Sequence, residues 1–196
     1  GGNQVRIAED APASLRQRLA AMDRVSVTTA DERVTTGLTT PDIVTFLSNV
    51  AGLAREGVSH AAFEASSHGL DQRRVEGLPV RAAAFTNLSR DHLDYHATMD
   101  AYFAAKLRLF TEVVEPDGAA VVWADDARSA EVAAAASARG LTLLTVGKNG
   151  ETLRLLGRTP TALGQTLIIR TPDKRDRTVQ LPLIGAYQAA NALTAA

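Results

Sequence analysis

Cysteine is absent from the 196 residues. Disulfides and thiolate metal sites are therefore excluded, which fits a reducing compartment. The expected location is the cytoplasm. Charge of one sign is lacking too. The 21 Lys and Arg residues against 22 Asp and Glu leave a formal net charge of -1, so there is no global basic field to hold nucleic acid. Long apolar runs are missing. Those at 61–63 and 82–85 are far shorter than the ~20 residues of a membrane span. The opening Gly1-Gly2-Asn3-Gln4 has neither the basic nor the apolar region of a signal peptide. No internal repeat is visible. What is present is a 45% hydrophobic composition, enough for one α/β domain with a full core and a small appendage.

Strand-like segments occur at 5–7, 25–29, 58–65, 82–86, 119–123 and 141–146, judged from β-branched or apolar runs. Helical spacing places Leu15, Leu19 and Met22 on one face of a helix over 13–22, and Ile43, Phe46, Leu47, Val50 and Leu53 on another. The second helix is expected to start at Thr40-Pro41-Asp42 and end at Gly57. Residues 100–113 form an amphipathic helix with Tyr102, Phe103, Leu107 and Phe110 inward, and 129–139 an alanine-rich one. After Gly150 the pattern changes to three antiparallel strands at 153–156, 166–171 and 178–183, and 185–196 starts a further helix. Alternating strands and helices predict a three-layer α/β fold with a mostly parallel sheet and an antiparallel β extension.

Open parallel sheets bind ligands at the carboxyl ends of their strands. Two polar clusters are expected there. The first is Glu64 with Ser66-Ser67-His68-Gly69. A strand-end carboxylate is a hard ligand suited to Mg²⁺, or simply a partner for Arg73 or Arg74. Two hydroxyls, an imidazole and a flexible glycine are equally what an N-capped turn needs. The second cluster packs Asp91, His92, Asp94, Tyr95 and His96 into six residues. His92 and His96 are four apart and would share a face on a helix, but Leu93 breaks the zinc-protease pattern. Lys106 follows Tyr102 by one turn among small and apolar neighbours, a placement that snorkelling explains as well as function does. Gly147-Lys148-Asn149-Gly150 lacks the upstream glycine and the Ser/Thr of a phosphate loop and reads as a turn. Ser66, His68 and Asp71 are too local to be a catalytic triad.

Taken together, these blocks resemble the Mur ligase family, in its UDP-N-acetylmuramoyl-tripeptide synthetase branch. The resemblance rests on Leu38-Thr39-Thr40-Pro41-Asp42, on 64–70 followed by Gln72 and Arg74, and on Thr86 through His96. It extends to the Ala-Ala-Lys core of 102–110 and to Gly185-Ala186-Tyr187-Gln188 with Asn191. It implies an ATP-dependent amide ligase. ATP phosphorylates the D-glutamate carboxylate of UDP-N-acetylmuramoyl-L-alanyl-D-glutamate, and the amine of a diamino acid displaces the phosphate. Residues matching Glu64, His92 and a carbamylated Lys106 hold Mg²⁺ and form the catalytic set. Thr39, Thr40, Ser66, Gln72 and Arg74 match substrate-binding positions, and Asn191 one near the adenine nucleotide. The wording at 65–74 is closest to members that add meso-diaminopimelate. These roles suit phosphoryl transfer, which needs charge neutralisation more than covalent help, and Arg74 suits a bidentate hold on an anion.

Two departures from the family pattern stand out. The Walker A loop expected upstream of Thr39 has no counterpart, since no glycine lies between Gly2 and Gly37. Gln188 stands where an asparagine is usual. The expected organisation is a remnant of an N-terminal UDP-binding domain at 1–24 and a central ATPase-type domain at 25–196 without its Walker A segment. A C-terminal ligase domain is not included. Two other readings stay open, a non-catalytic binding module for the UDP-sugar peptide and a metal-dependent hydrolase using Glu64, His92 and His96.

Overall fold

The computed structural model describes residues 3–6, 25–28, 33–34, 40, 42–55, 57–91 and 93–196. The helix expected over 13–22, and with it Thr39 and His92, lies outside them. The chain forms two compact units. One comprises Gly1–Leu78 and Leu93–Leu109, the other Pro79–His92 and Phe110–Ala196.

In the first unit, β1 (Asn3–Arg6) pairs in parallel with β2 (Val25–Thr28), which pairs antiparallel with β3 (Arg33–Val34). Helix α1 spans Ile43–Arg55. Asp42 is its N-cap, its Oδ1 accepting from the Val44 and Thr45 amides at 3.1 and 3.0 Å. These are donors that the first helical turn cannot satisfy itself. The Thr45 hydroxyl is the main reason the Asp42 carboxyl is held below its ordinary range. Phe46 and Leu53 are buried on the expected apolar face, and Phe46 meets Phe63 edge-on at 4.9 Å. Gly57 ends the helix at φ +86°, a left-handed conformation that glycine alone adopts without steric cost.

The strand expected over 58–65 is not formed. These residues have no regular structure, and 59–62 are exposed along with Glu64. A strand needs a neighbour for its amides and carbonyls, and no pairing involves this run among the described residues. Short helix α2 (Ser67–Asp71) follows. Helix α3 (Met99–Arg108) starts at Thr98, whose hydroxyl accepts from the Ala101 amide at 3.1 Å, and buries Tyr102, Phe103 and Ala105. The backbone then widens into a π turn at Leu109–Val113, where a continuous α-helix to 113 was expected.

The second unit is a six-stranded sheet ordered β4-β5-β6-β7-β8-β9: Val80–Phe85, Val114–Trp123, Thr142–Gly147, Leu153–Thr161, Gly164–Arg170 and Asp176–Leu181. The first three pairings are parallel and the last two antiparallel, as the sequence predicts. Pairing between β4 and β5 jumps from Val80↔Val114 to Ala82↔Ala119, so the regular part of β5 begins after Pro116, which has no amide to give. Helix α4 (Ser129–Ala138) lies against β5 and β6. Helix α5 (Ala186–Ala195) closes a cluster of Val146, Leu155, Leu167, Ala189 and Leu193, with Val121 and Trp123 packed on it. Alternation along β5 turns Ala120 and Val122 to the opposite face, where both are fully buried. Both faces of the sheet are therefore covered, as in three-layer α/β proteins. No helix among the described residues is long and apolar enough to cross a membrane.

Candidate functional site

Thr40 is the centre of the first unit's polar cluster. It is 2% exposed. Its hydroxyl donates to the Glu64 carbonyl at 3.2 Å and accepts from the Ser66 amide at 3.1 Å and the Ser66 hydroxyl at 3.0 Å. Ser66 Oγ in turn accepts from the Gly69 amide at 3.0 Å, capping α2. Gly69 was expected to supply flexibility. It supplies room instead: a Cβ there would sit 2.7 Å from Thr40 Cγ2. Thr40 fits over the first turn of α2 because that position carries no side chain.

Helix α2 ends in a Schellman motif. The Arg73 amide donates to Leu70 O and the Arg74 amide to Gly69 O, with Arg73 in the left-handed region at φ +57°. A non-glycine residue in that conformation costs roughly 1–2 kcal/mol. Its guanidinium is ion-paired with Glu76, which Arg108 also reaches, at 3.3 Å. The turn presents Gln72 and Arg74 side by side. Arg74 donates through Nη2 to Gln72 Oε1 and through Nη1 to Thr40 O at 2.8 Å. Thus Thr40, Ser66, Gln72 and Arg74, which lie up to 34 residues apart, form one hydrogen-bonded group. Glu64 joins it by its backbone carbonyl and keeps its carboxylate exposed. Both carboxylate oxygens stay available as hard ligands, which fits Mg²⁺.

Lys106 is half-buried on α3, its Nζ 5.2 Å from the Tyr102 ring centroid, a cation–π distance. Two residues along the same helix, Arg108 donates through Nη1 to the Leu70 carbonyl and, at 3.2 Å, to the Asp71 carbonyl. The lysine helix is thereby fastened to the carboxyl end of α2. The idea that His92 and His96 share a helix face fails. Residues 93–98 are turns and bends, because the Thr98 cap delays the helix to Met99. His96 is 5% exposed and lies among rings, with centroids 4.8 Å from Tyr95, 5.3 Å from Tyr102 and 5.6 Å from His68.

In the sheet unit the loops at the carboxyl ends of the parallel strands are braced by two aspartates that the sequence reading passed over. Asp126, just past β5, accepts from the Leu88 amide at 2.9 Å and so holds the loop after β4. Asp125 accepts from the Lys148 and Asn149 amides at 2.8 and 2.9 Å, so the Gly147–Gly150 segment is a clasped turn, as expected. Two acidic residues directly after an apolar strand were the available signal. Gln165, 1% exposed, donates to the Leu183 and Gly185 carbonyls at 2.8 and 3.0 Å and fixes the entry to α5. On that helix Asn191 is exposed and its amide approaches Gln188 Oε1 at 3.4 Å.

The model of the Mur ligase middle domain matches residues 13–196. The chain belongs to the Mur ligase family. It is 50% identical over 179 residues to a UDP-N-acetylmuramoyl-L-alanyl-D-glutamate--2,6-diaminopimelate ligase of Zymomonas mobilis, covering 91% of this chain and 37% of the relative. A ligase of the same name from Bradyrhizobium diazoefficiens is 48% identical over 181 residues, covering 90% and 37%. The chain spans roughly a third of the length of these Mur ligases. Among solved structures, folylpolyglutamate synthase of Mycobacterium tuberculosis complexed with ADP aligns with a TM-score of 0.60 at 26% identity, covering 78% of this chain and 34% of that one. The MurF ligase of Thermotoga maritima in complex with ADP aligns at 0.56 with 12% identity, covering 99% and 44%. At that identity the second likeness concerns the fold alone.

Proposed function

We propose that this Mur ligase segment is the central catalytic region of an ATP-dependent ligase. It adds meso-diaminopimelate to UDP-N-acetylmuramoyl-L-alanyl-D-glutamate in the cytoplasm, for peptidoglycan synthesis. The observation that carries this reading is the joining of Thr40, Ser66, Gln72 and Arg74 into one group, in a chain about half identical to ligases of that name. The ADP complex of the folylpolyglutamate synthase neighbour supports ATP as the cosubstrate. Asn191, by its match to the family pattern, would lie near its adenine.

Arg74 supplies a planar guanidinium to an anionic group of the substrate, and the hydroxyl pair of Thr40 and Ser66, whose protons go to the Glu64 carbonyl and to Thr40 Oγ1, braces the backbone beside it. Thr39 adds a further hydroxyl. Glu64, His92 and Lys106 as its carbamate would hold Mg²⁺. The carbamate replaces a repelled ammonium by two hard oxygens. When bound, the metal neutralises charge on the transferred phosphoryl group. The carboxylate of D-glutamate takes the phosphoryl group from ATP. The diamino acid's amine then forms the amide as phosphate leaves and its proton passes to solvent.

Lys106→Ala tests the reading in the full-length protein. Incubation with ¹³C-bicarbonate is expected to give a carbamate resonance in the wild type and none in the variant, and tripeptide formation is expected to stop while the fold survives. A variant that turns over at the normal rate would overturn the assignment.

A further inference from the structure

Tyr95 lies outside the residues to which family resemblance gives a role. Its hydroxyl donates to Asp71 Oδ2 at 2.8 Å and accepts from Gln72 Nε2 at 3.2 Å. The ring lies against His68, centroids 3.8 Å apart, and meets His96 edge-on. Beyond Gln72 the line continues through Arg74 to the Thr40 carbonyl. Every polar link from Asp71 to Thr40 is therefore made, and Tyr95 is the one member contributed from outside residues 40–74.

The polarity of that line has a direction. A phenol has one proton. With that proton committed to the Asp71 carboxylate, the oxygen turns a lone pair toward Gln72. The glutamine must answer with its NH₂, which leaves its carbonyl oxygen facing Arg74, where a guanidinium requires an acceptor. A flipped amide would set donor against donor at Arg74 and acceptor against acceptor at Tyr95. Gln72 is exposed and long, so without the phenol little else on its outer side selects one orientation.

We propose that Tyr95 is a positioning residue for the muramoyl-peptide site, fixing the Gln72 amide so that its oxygen aims the Arg74 guanidinium at the substrate. This rests on the reading of Gln72 and Arg74 as substrate contacts. Asp71 is part of the device because it takes the phenol proton.

The test is calorimetric binding of UDP-N-acetylmuramoyl-L-alanyl-D-glutamate to the full-length protein. Tyr95→Phe keeps the ring stack and removes the hydroxyl. One net hydrogen bond corresponds to a roughly three- to tenfold weaker Kd, with the thermal midpoint close to that of the wild type. In a Gln72→Ala background, Tyr95→Phe is expected to have no further effect, whereas a merely structural role would add in full. Asp71→Ala frees the phenol proton and is expected to weaken binding to a similar degree. If Arg74→Ala weakens binding but Tyr95→Phe or Asp71→Ala binds like the wild type, or if Tyr95→Phe and Gln72→Ala are additive, the positioning role is overturned. If Arg74→Ala itself binds like the wild type, the substrate-site reading fails instead.

Discussion

Around Thr40, segments up to 38 residues apart are tied by side chains to backbone atoms: Thr40 to Glu64 O, Arg74 to Thr40 O, Arg108 to Leu70 O. In the sheet unit, the ladder from β4 to β9 and the apolar cluster under α5 carry the assembly, and side-chain bonds such as those of Asp125 and Asp126 trim its loops. A ladder uses atoms that every residue has, so it tolerates many sequences. A side-chain tie uses one functional group, so its loss is local and specific. On the proposed reading, the same contrast separates what stabilises the molecule from what would recognise the substrate.

The two units should therefore break differently. The largest effect is expected in the sheet unit. Phe110 is 1% exposed, and Phe110→Ala should cost about 3–5 kcal/mol of stability, read as a lower urea midpoint. A loss under about 1 kcal/mol would mean the site collapses around the cavity and the core is less rigid than argued. Next comes Gly69→Ala, which drives a methyl into Thr40 at 2.7 Å. Overpacking of this kind costs about 1–3 kcal/mol, and here muramoyl-dipeptide affinity should fall with it, since Thr40 and Ser66 must part. Unchanged affinity would uncouple Thr40 from the site. The smallest effect has the opposite sign. Arg73→Gly relieves the left-handed strain at φ +57° while giving up an exposed ion pair to Glu76. A gain of about 0.5–1 kcal/mol is expected, with binding preserved. A lower thermal midpoint would show that the Arg73–Glu76–Arg108 link outweighs the strain.

Much of the fold was legible because its signals are local. Alternating apolar strands and helices gave the parallel sheet, and the change after Gly150 gave the antiparallel extension. Asp42 and Gly57 marked the ends of α1 through capping chemistry that operates within a few residues. The segment at 58–65 looked like a strand for the same local reason, its apolar run, and failed because a strand also needs a partner. His92 and His96 had helical spacing, yet the Thr98 cap three residues before Ala101 decided where α3 begins. Of the site, the residue types and their motif spacing were readable from resemblance. The roles of Tyr95, Arg108, Asp125 and Asp126 were not.

By itself the sequence determined family, the order of strands and helices from 80 onward, and which residue types could bind an anion or a hard cation. Those properties depend on composition, period and motif within short windows. Only the tertiary structure decided that Thr40 would lie over Gly69, that Arg74 would return to the Thr40 carbonyl, and that Tyr95 would stand between Asp71 and Gln72. Each of those contacts closes a loop of more than twenty residues. Closing such a loop costs chain entropy that no local signal reports, and it is offset only when the packed α2–α3 region holds both ends in place.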